Sequence, residues 1–229
     1  MTDVIIPQAS LFLGIIPALI ILYVSLKDYE GHYKDKTIFL MFVIGIVFGF
    51  IAALVQSYTL AMVIIYAILL SFFNQLIKTI ILNLRRFQEK SEGVINGLTL
   101  GLGFGSTFTP FLVIAVSQLK TSNFSVVSLI AIGSIGIILF QGATGAYIGY
   151  GIYFGKLTRY LSIAILLEIP FNFLMGVVIS YSEPQYLAFL SALIVGMILY
   201  GGIVFIYVFK KVMPRILQKN QKRKRRKNK

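Results

Sequence analysis

Residues 59–83 read TLAMVIIYAILLSFFNQLIKTIILN. Apolar side chains dominate its first half, and then Asn74, Gln75 and Lys78 arrive within five positions. As one helix the run rises ~37 Å at ~1.5 Å per residue, which crosses a ~30 Å hydrocarbon core. A lysine inside such a run is costly and calls for a partner or a task. The stretch therefore names the solvent, a bilayer, and poses the question of what meets Lys78.

The rest of the chain agrees with that solvent. Of 229 residues, 58% are hydrophobic and only 13% charged, against about a quarter charged in soluble domains. Mean hydropathy is +0.87. Seven apolar runs stand out, at residues 4–26, 37–55, 59–83, 93–118, 124–150, 160–180 and 186–209. The predicted fold is all-α: a polytopic bundle of about seven transmembrane helices forming one domain over residues 1–209, with a basic tail at 210–229. The first run follows Asp3 instead of a basic stretch and holds Pro17 mid-run, so it reads as a span and not a signal peptide. No cysteine is present, which excludes disulfides and thiolate metal sites. Without tryptophan, the 13 tyrosines and 19 phenylalanines must supply any interfacial belt.

Charge orients the bundle. Lys27, Lys34 and Lys36 follow the first run; Arg85, Arg86 and Lys90 follow the third; Lys156 and Arg159 follow the fifth. The alternate loops hold only Lys120. The positive-inside rule places the first set in the cytoplasm, which gives an outside N-terminus and a cytoplasmic C-terminus of a multi-pass cell-membrane protein. Eleven of the 21 Lys and Arg lie in residues 210–229, including the run Lys222 to Lys227. Such a tail is expected to be disordered and to anchor topology; anionic lipid or an RNA backbone is a further possible contact.

Small residues mark two helices. Gly97, Gly101 and Gly105 recur every fourth position, as do Gly145 and Gly149, a spacing that lets backbones approach closely. A phosphate loop is a poor reading of Gly101, Gly103 and Gly105, because no strand precedes them.

Depth then groups the polar residues. With alternating spans, Lys78 falls ~7 Å, and Asn74 and Gln75 ~12 Å, above the inner boundary at helical rise. Glu168 falls ~12 Å, Gln141 ~14 Å and Asn172 ~18 Å from that boundary by the same arithmetic. Glu168 is the one acid and Lys78 the one base deep in any run, so a direct ion pair is expected, with snorkelling of Lys78 to the inner interface as the alternative. The six residues read either as interhelical glue or as a polar cavity open to the cytoplasm. Pro170, two residues after Glu168, favours a deformed, cavity-lining helix. His32, in a loop with Asp28, Glu30 and Asp35, reads as a solvated histidine, and no metal or cofactor is expected.

The order Asn74-Gln75-Leu76-Ile77-Lys78, Arg86-Phe87, Glu92-Gly93-Val94-Ile95-Asn96-Gly97 and Gly101-Leu102-Gly103-Phe104-Gly105 resembles PrsW-type intramembrane proteases, relatives of the CAAX-prenyl proteases. Gln141-Gly142-Ala143 and Glu168-Ile169-Pro170-Phe171-Asn172-Phe173 resemble that family's two later histidine-bearing segments. The resemblance runs from about Thr59 to Met175. It implies a membrane-embedded hydrolytic scaffold whose reactive residues have been replaced. Asn74 and Gln75 stand where the family carries glutamates, Gln141 and Glu168 where it carries histidines, and Phe108 near a further glutamate. Amides cannot take up a proton at neutral pH, so the resemblance implies a non-catalytic relative that binds a membrane segment or partner protein.

Two alternatives stand beside it. In one, Glu168 is a relocated base, with Asn74, Gln75 and Gln141 as carbonyl donors, in a rearranged protease. In the other, the buried charges serve a small transporter or channel, against which stands the lack of an internal repeat.

Overall fold

The computed structural model of the chain describes residues 5–58, 63–84, 92–117, 124–181 and 183–215. These form α1 (Ile5–Leu26), α2 (Asp35–Tyr58), α3 (Val63–Leu82), α4 (Gly93–Ser106), α5 (Phe108–Ser117), α6 (Phe124–Tyr153), α7 (Leu157–Ser180) and α8 (Leu187–Tyr207). The fold is an all-α bundle, and no strand occurs among the described residues. Among the described residues, six stretches are long and apolar enough to cross a membrane: Leu11–Tyr29, Asp35–Gln56, Gly93–Ile114, Phe124–Tyr153, Leu157–Ser180 and Pro184–Val212. The third expected run is represented by α3, whose apolar stretch Ala67–Leu82 is shorter. Arg85, Arg86, Lys90, Lys120 and the tail from residue 216 lie outside the described residues.

The fourth run is one span in two pieces. Pro110 has no N–H to offer the carbonyl of Ser106, so the helix breaks at Thr107 and restarts. Ser106 and Thr107 turn their hydroxyls back to the carbonyls of Gly103 and Phe104, at 2.7 and 2.8 Å.

α4 is the axis of the bundle, with all fourteen of its residues buried. It runs antiparallel to α6 along a glycine seam. A Cβ placed on Gly101 would lie 2.1 Å from the carbonyl oxygen of Gln141, and one on Gly97 2.2 Å from that of Gly145. Gly105 meets the backbone at Ile138, and Gly149 meets Gly93. The two backbones thus touch where any side chain would hold them apart. On its other side α4 receives α2 in parallel, with Gly45 against Leu100 and Gly49 against Phe104. α8 runs parallel to α6, Gly133 facing Ile194 and Gly136 facing Met197.

Contacts at one end bring the termini of several helices together. The Tyr29 ring, just after α1, lies 6.5 Å from that of Phe209, just after α8. Tyr150 of α6 hydrogen-bonds Arg215 and lies 5.0 Å from the Tyr160 ring of α7. Lys27, Lys34, Lys36, Lys156 and Arg159, in or beside these connections, therefore share one end of the molecule. Tyr29, Phe209, Tyr150 and Tyr160 cluster there as aromatic pairs.

A buried polar centre as candidate functional site

The site is built on α3, α6 and α7. Asn74, Gln75 and Lys78 lie within one turn of α3 and share a face; Glu168 and Asn172 are one turn apart on α7. The two helices run antiparallel, so Asn172 meets Ser71 while Glu168 meets Asn74 and Gln75. Asn172 donates its Nδ2–H to Ser71 Oγ at 3.0 Å, and Ser71 donates onward to the Ala67 carbonyl at 2.6 Å.

Glu168 is fully buried and surrounded by amides. Its Oε1 accepts from Asn74 Nδ2 and from Gln141 Nε2, each at 2.9 Å. Its Oε2 accepts from Gln75 Nε2. Three donors from two neighbouring helices thus occupy both carboxylate oxygens.

The expected direct contact between Lys78 and Glu168 is not formed. Gln141 stands between them: its Oε1 accepts from Lys78 Nζ at 2.6 Å while its Nε2 donates to Glu168. One primary amide offers both an acceptor and donors, so it satisfies an ammonium on one side and a carboxylate on the other. Lys78 also donates to Thr144 Oγ1 at 2.8 Å, and its Nζ lies 5.5 Å from the centroid of the Phe104 ring, within cation–π range. Snorkelling does not occur either, since Lys78 is 0% exposed. The reason is local: its partners are on α6, one helix away, and satisfy it without a route to the interface.

Apolar packing closes the centre. Phe140 and Phe171 stack with centroids 4.4 Å apart, and Tyr200 of α8 leans on both. Tyr200 donates its hydroxyl to the Leu167 carbonyl at 2.9 Å, in the turn that Pro170 disturbs. Asn74, Gln75, Lys78, Gln141, Glu168 and Asn172 are each 2% exposed or less. A cavity of about 320 Å³ between α6, α7 and α8 is lined by Thr144, the hydrogen-bond partner of Lys78, and by Leu167, the neighbour of Glu168. The oxygens Asn74 Oδ1, Gln75 Oε1 and Asn172 Oδ1 have no hydrogen-bond partner in the structure.

Thr144 and Tyr200 escaped the sequence reading. Thr144 was findable, because it lies three residues after Gln141 and therefore on the same face. Tyr200 carried no such signal, since an aromatic in an apolar span looks like any other. His32 lies elsewhere, its Nδ1 3.3 Å from the Glu30 carbonyl oxygen in the α1–α2 loop.

No family model, curated protein or solved structure matches the chain.

Chemically, the arrangement holds a carboxylate and an ammonium, both hydrogen-bonded. A general base must reach the proton it takes, directly or through one water. Here Oε1 accepts two N–H donors and Oε2 one, and the other side chains of the centre are amides, hydroxyls and an ammonium.

Proposed function

We propose that this chain is a non-catalytic multi-pass protein of the cell membrane, a relative of the PrsW-type intramembrane proteases, that works by binding a membrane-embedded partner. The observation that supports the non-catalytic reading is that Asn74, Gln75 and Gln141 amides hydrogen-bond both oxygens of Glu168. A buried carboxylate with both oxygens occupied serves to lock α3, α6 and α7 together. The described residues are almost wholly membrane helix, so recognition falls to lipid-facing surfaces, with the basic tail as a second contact for anionic lipid or RNA.

Cross-linking within native membranes, then purification in mild detergent, tests the binding reading. Photoreactive residues at Leu199 and Ile203 of α8, 59% and 67% exposed, sample the lipid-facing surface. A stoichiometric membrane partner is the expected result; a clean monomer or homodimer overturns it. A cleavage product from a co-expressed membrane substrate, lost in Glu168→Gln, overturns the non-catalytic part.

The three unpartnered amide oxygens beside Glu168 favour one second reading, the handling of a proton or small cation. Flux into liposomes that disappears with Glu168→Ala would support it over partner binding.

A further inference from the structure

α1 and α2 are consecutive, yet they scarcely touch each other. Each is held against the α4–α5 span by its own glycine: Gly14 sits on the Ser106 carbonyl and Gly45 on that of Leu100. The hairpin is therefore splayed, and a wedge-shaped cavity of about 520 Å³ opens between its arms. Leu22, Leu26, Ile38 and Phe42 make a buried floor, while Tyr23 and Phe39 stand at the mouth, 76% and 72% exposed.

Charge is confined to one end. Lys27, Glu30 and Asp35 line the cavity where the connecting loop closes it, and Gly31 turns that loop at φ 78°. Burial, and then the negative fields of Asp35 and Glu30, push the Tyr33 phenol up from its ordinary pKa. Both carboxylates therefore act on the same rim that Tyr33 lines.

A wedge open to hydrocarbon at one end and ringed by charge at the other has the outline of an amphiphile. Its charges narrow the choice. Lys27, the one ammonium among the lining residues, suits a phosphate. Two carboxylates suit a primary ammonium, which donates hydrogen bonds that a quaternary ammonium lacks. An anionic headgroup without an amine would face both carboxylates unpaired.

We propose that the α1–α2 wedge is a site for one phospholipid whose headgroup carries both a phosphate and a primary amine. One acyl chain lies between the helices, the phosphate meets Lys27, and the amine meets Glu30 and Asp35. The site is independent of the buried polar centre.

The test is native mass spectrometry of the full chain, purified in mild detergent and equilibrated with equimolar phosphatidylethanolamine, phosphatidylcholine and phosphatidylglycerol. The expected result is a one-lipid adduct enriched several-fold in phosphatidylethanolamine. Glu30→Gln with Asp35→Asn should erase the enrichment and leave lipid bound. Val43→Trp, which fills the wedge from α2, should lower total retained lipid; thermal melting of each variant checks that it is folded. Adducts that mirror the supplied mixture overturn the proposal. So does retention indifferent to Val43→Trp, or a second copy or another protein chain in place of the lipid.

Discussion

Gln141 holds two opposite charges at once, and that makes the polar centre tolerant of some changes and not others. In Lys78→Met the carboxylate keeps its three amide donors but loses its counter-charge. In Glu168→Gln the ammonium keeps Gln141 and Thr144 but is the only charge left. Removing one partner of a buried pair costs ~3–5 kcal/mol, whereas removing both leaves no orphaned charge. Each single variant should therefore melt well below the wild type in detergent, and the double variant should recover much of the loss. Two silent single variants would show that the charges are not coupled through Gln141. Thr144→Val removes one acceptor from Lys78 and should cost ~1–3 kcal/mol. In the Lys78→Met background the same change should cost almost nothing, because the donor is already gone; a double-mutant cycle by thermal melting reads the difference.

At the scale of elements, the α4–α6 seam is a backbone contact, and backbone cannot move aside as a side chain can. Gly101→Ala would drive a methyl to 2.1 Å from the Gln141 carbonyl, on the residue that bridges Lys78 and Glu168. Gly196, on α8, has nothing within 4 Å of its missing Cβ. An alanine in an open helix position gains up to ~1 kcal/mol over glycine. Gly101→Ala should thus lower the melting temperature, and Gly196→Ala should hold or raise it. Equal effects would mean that helix propensity, not close approach, governs both sites. This contrast also marks what a sequence can carry. Length and hydropathy set out the helices, because a bilayer demands long apolar runs with internally satisfied backbones. The four-residue glycine period pointed to a seam. What period and depth could not supply is which helices are neighbours. The ion pair was expected to be direct because Lys78 and Glu168 are the one base and the one acid deep in the runs, but depth says nothing of rotation about a helix axis. α6 enters between the two charges and presents Gln141 and Thr144, and only the packed structure contains that fact. The break at Thr107 was legible in principle from Pro110, yet an unbroken apolar run hid it.

For the whole molecule, the decisive issue is which end faces the cytoplasm. The packing brings Lys34, near the Tyr29–Phe209 contact, to the same end as Lys156, beside the Tyr150–Tyr160 contact. Glu183 follows α7, a helix of 24 residues that begins next to Lys156, so it emerges at the opposite end. By the positive-inside rule, the basic residues at the first end predict that it faces the cytoplasm. The chain has no cysteine, so a single introduced thiol is the only one to label. A membrane-impermeant maleimide applied to intact cells should block Glu183→Cys and leave Lys34→Cys and Lys156→Cys free until the membrane is opened. Labelling of Lys34→Cys and Lys156→Cys from outside, with Glu183→Cys protected, would invert the molecule. The charged mouth of the α1–α2 wedge would then face the outer leaflet, and its lipid would have to come from there. Labelling of Lys34→Cys but not Lys156→Cys would contradict the shared end itself, and with it the antiparallel course of the bundle.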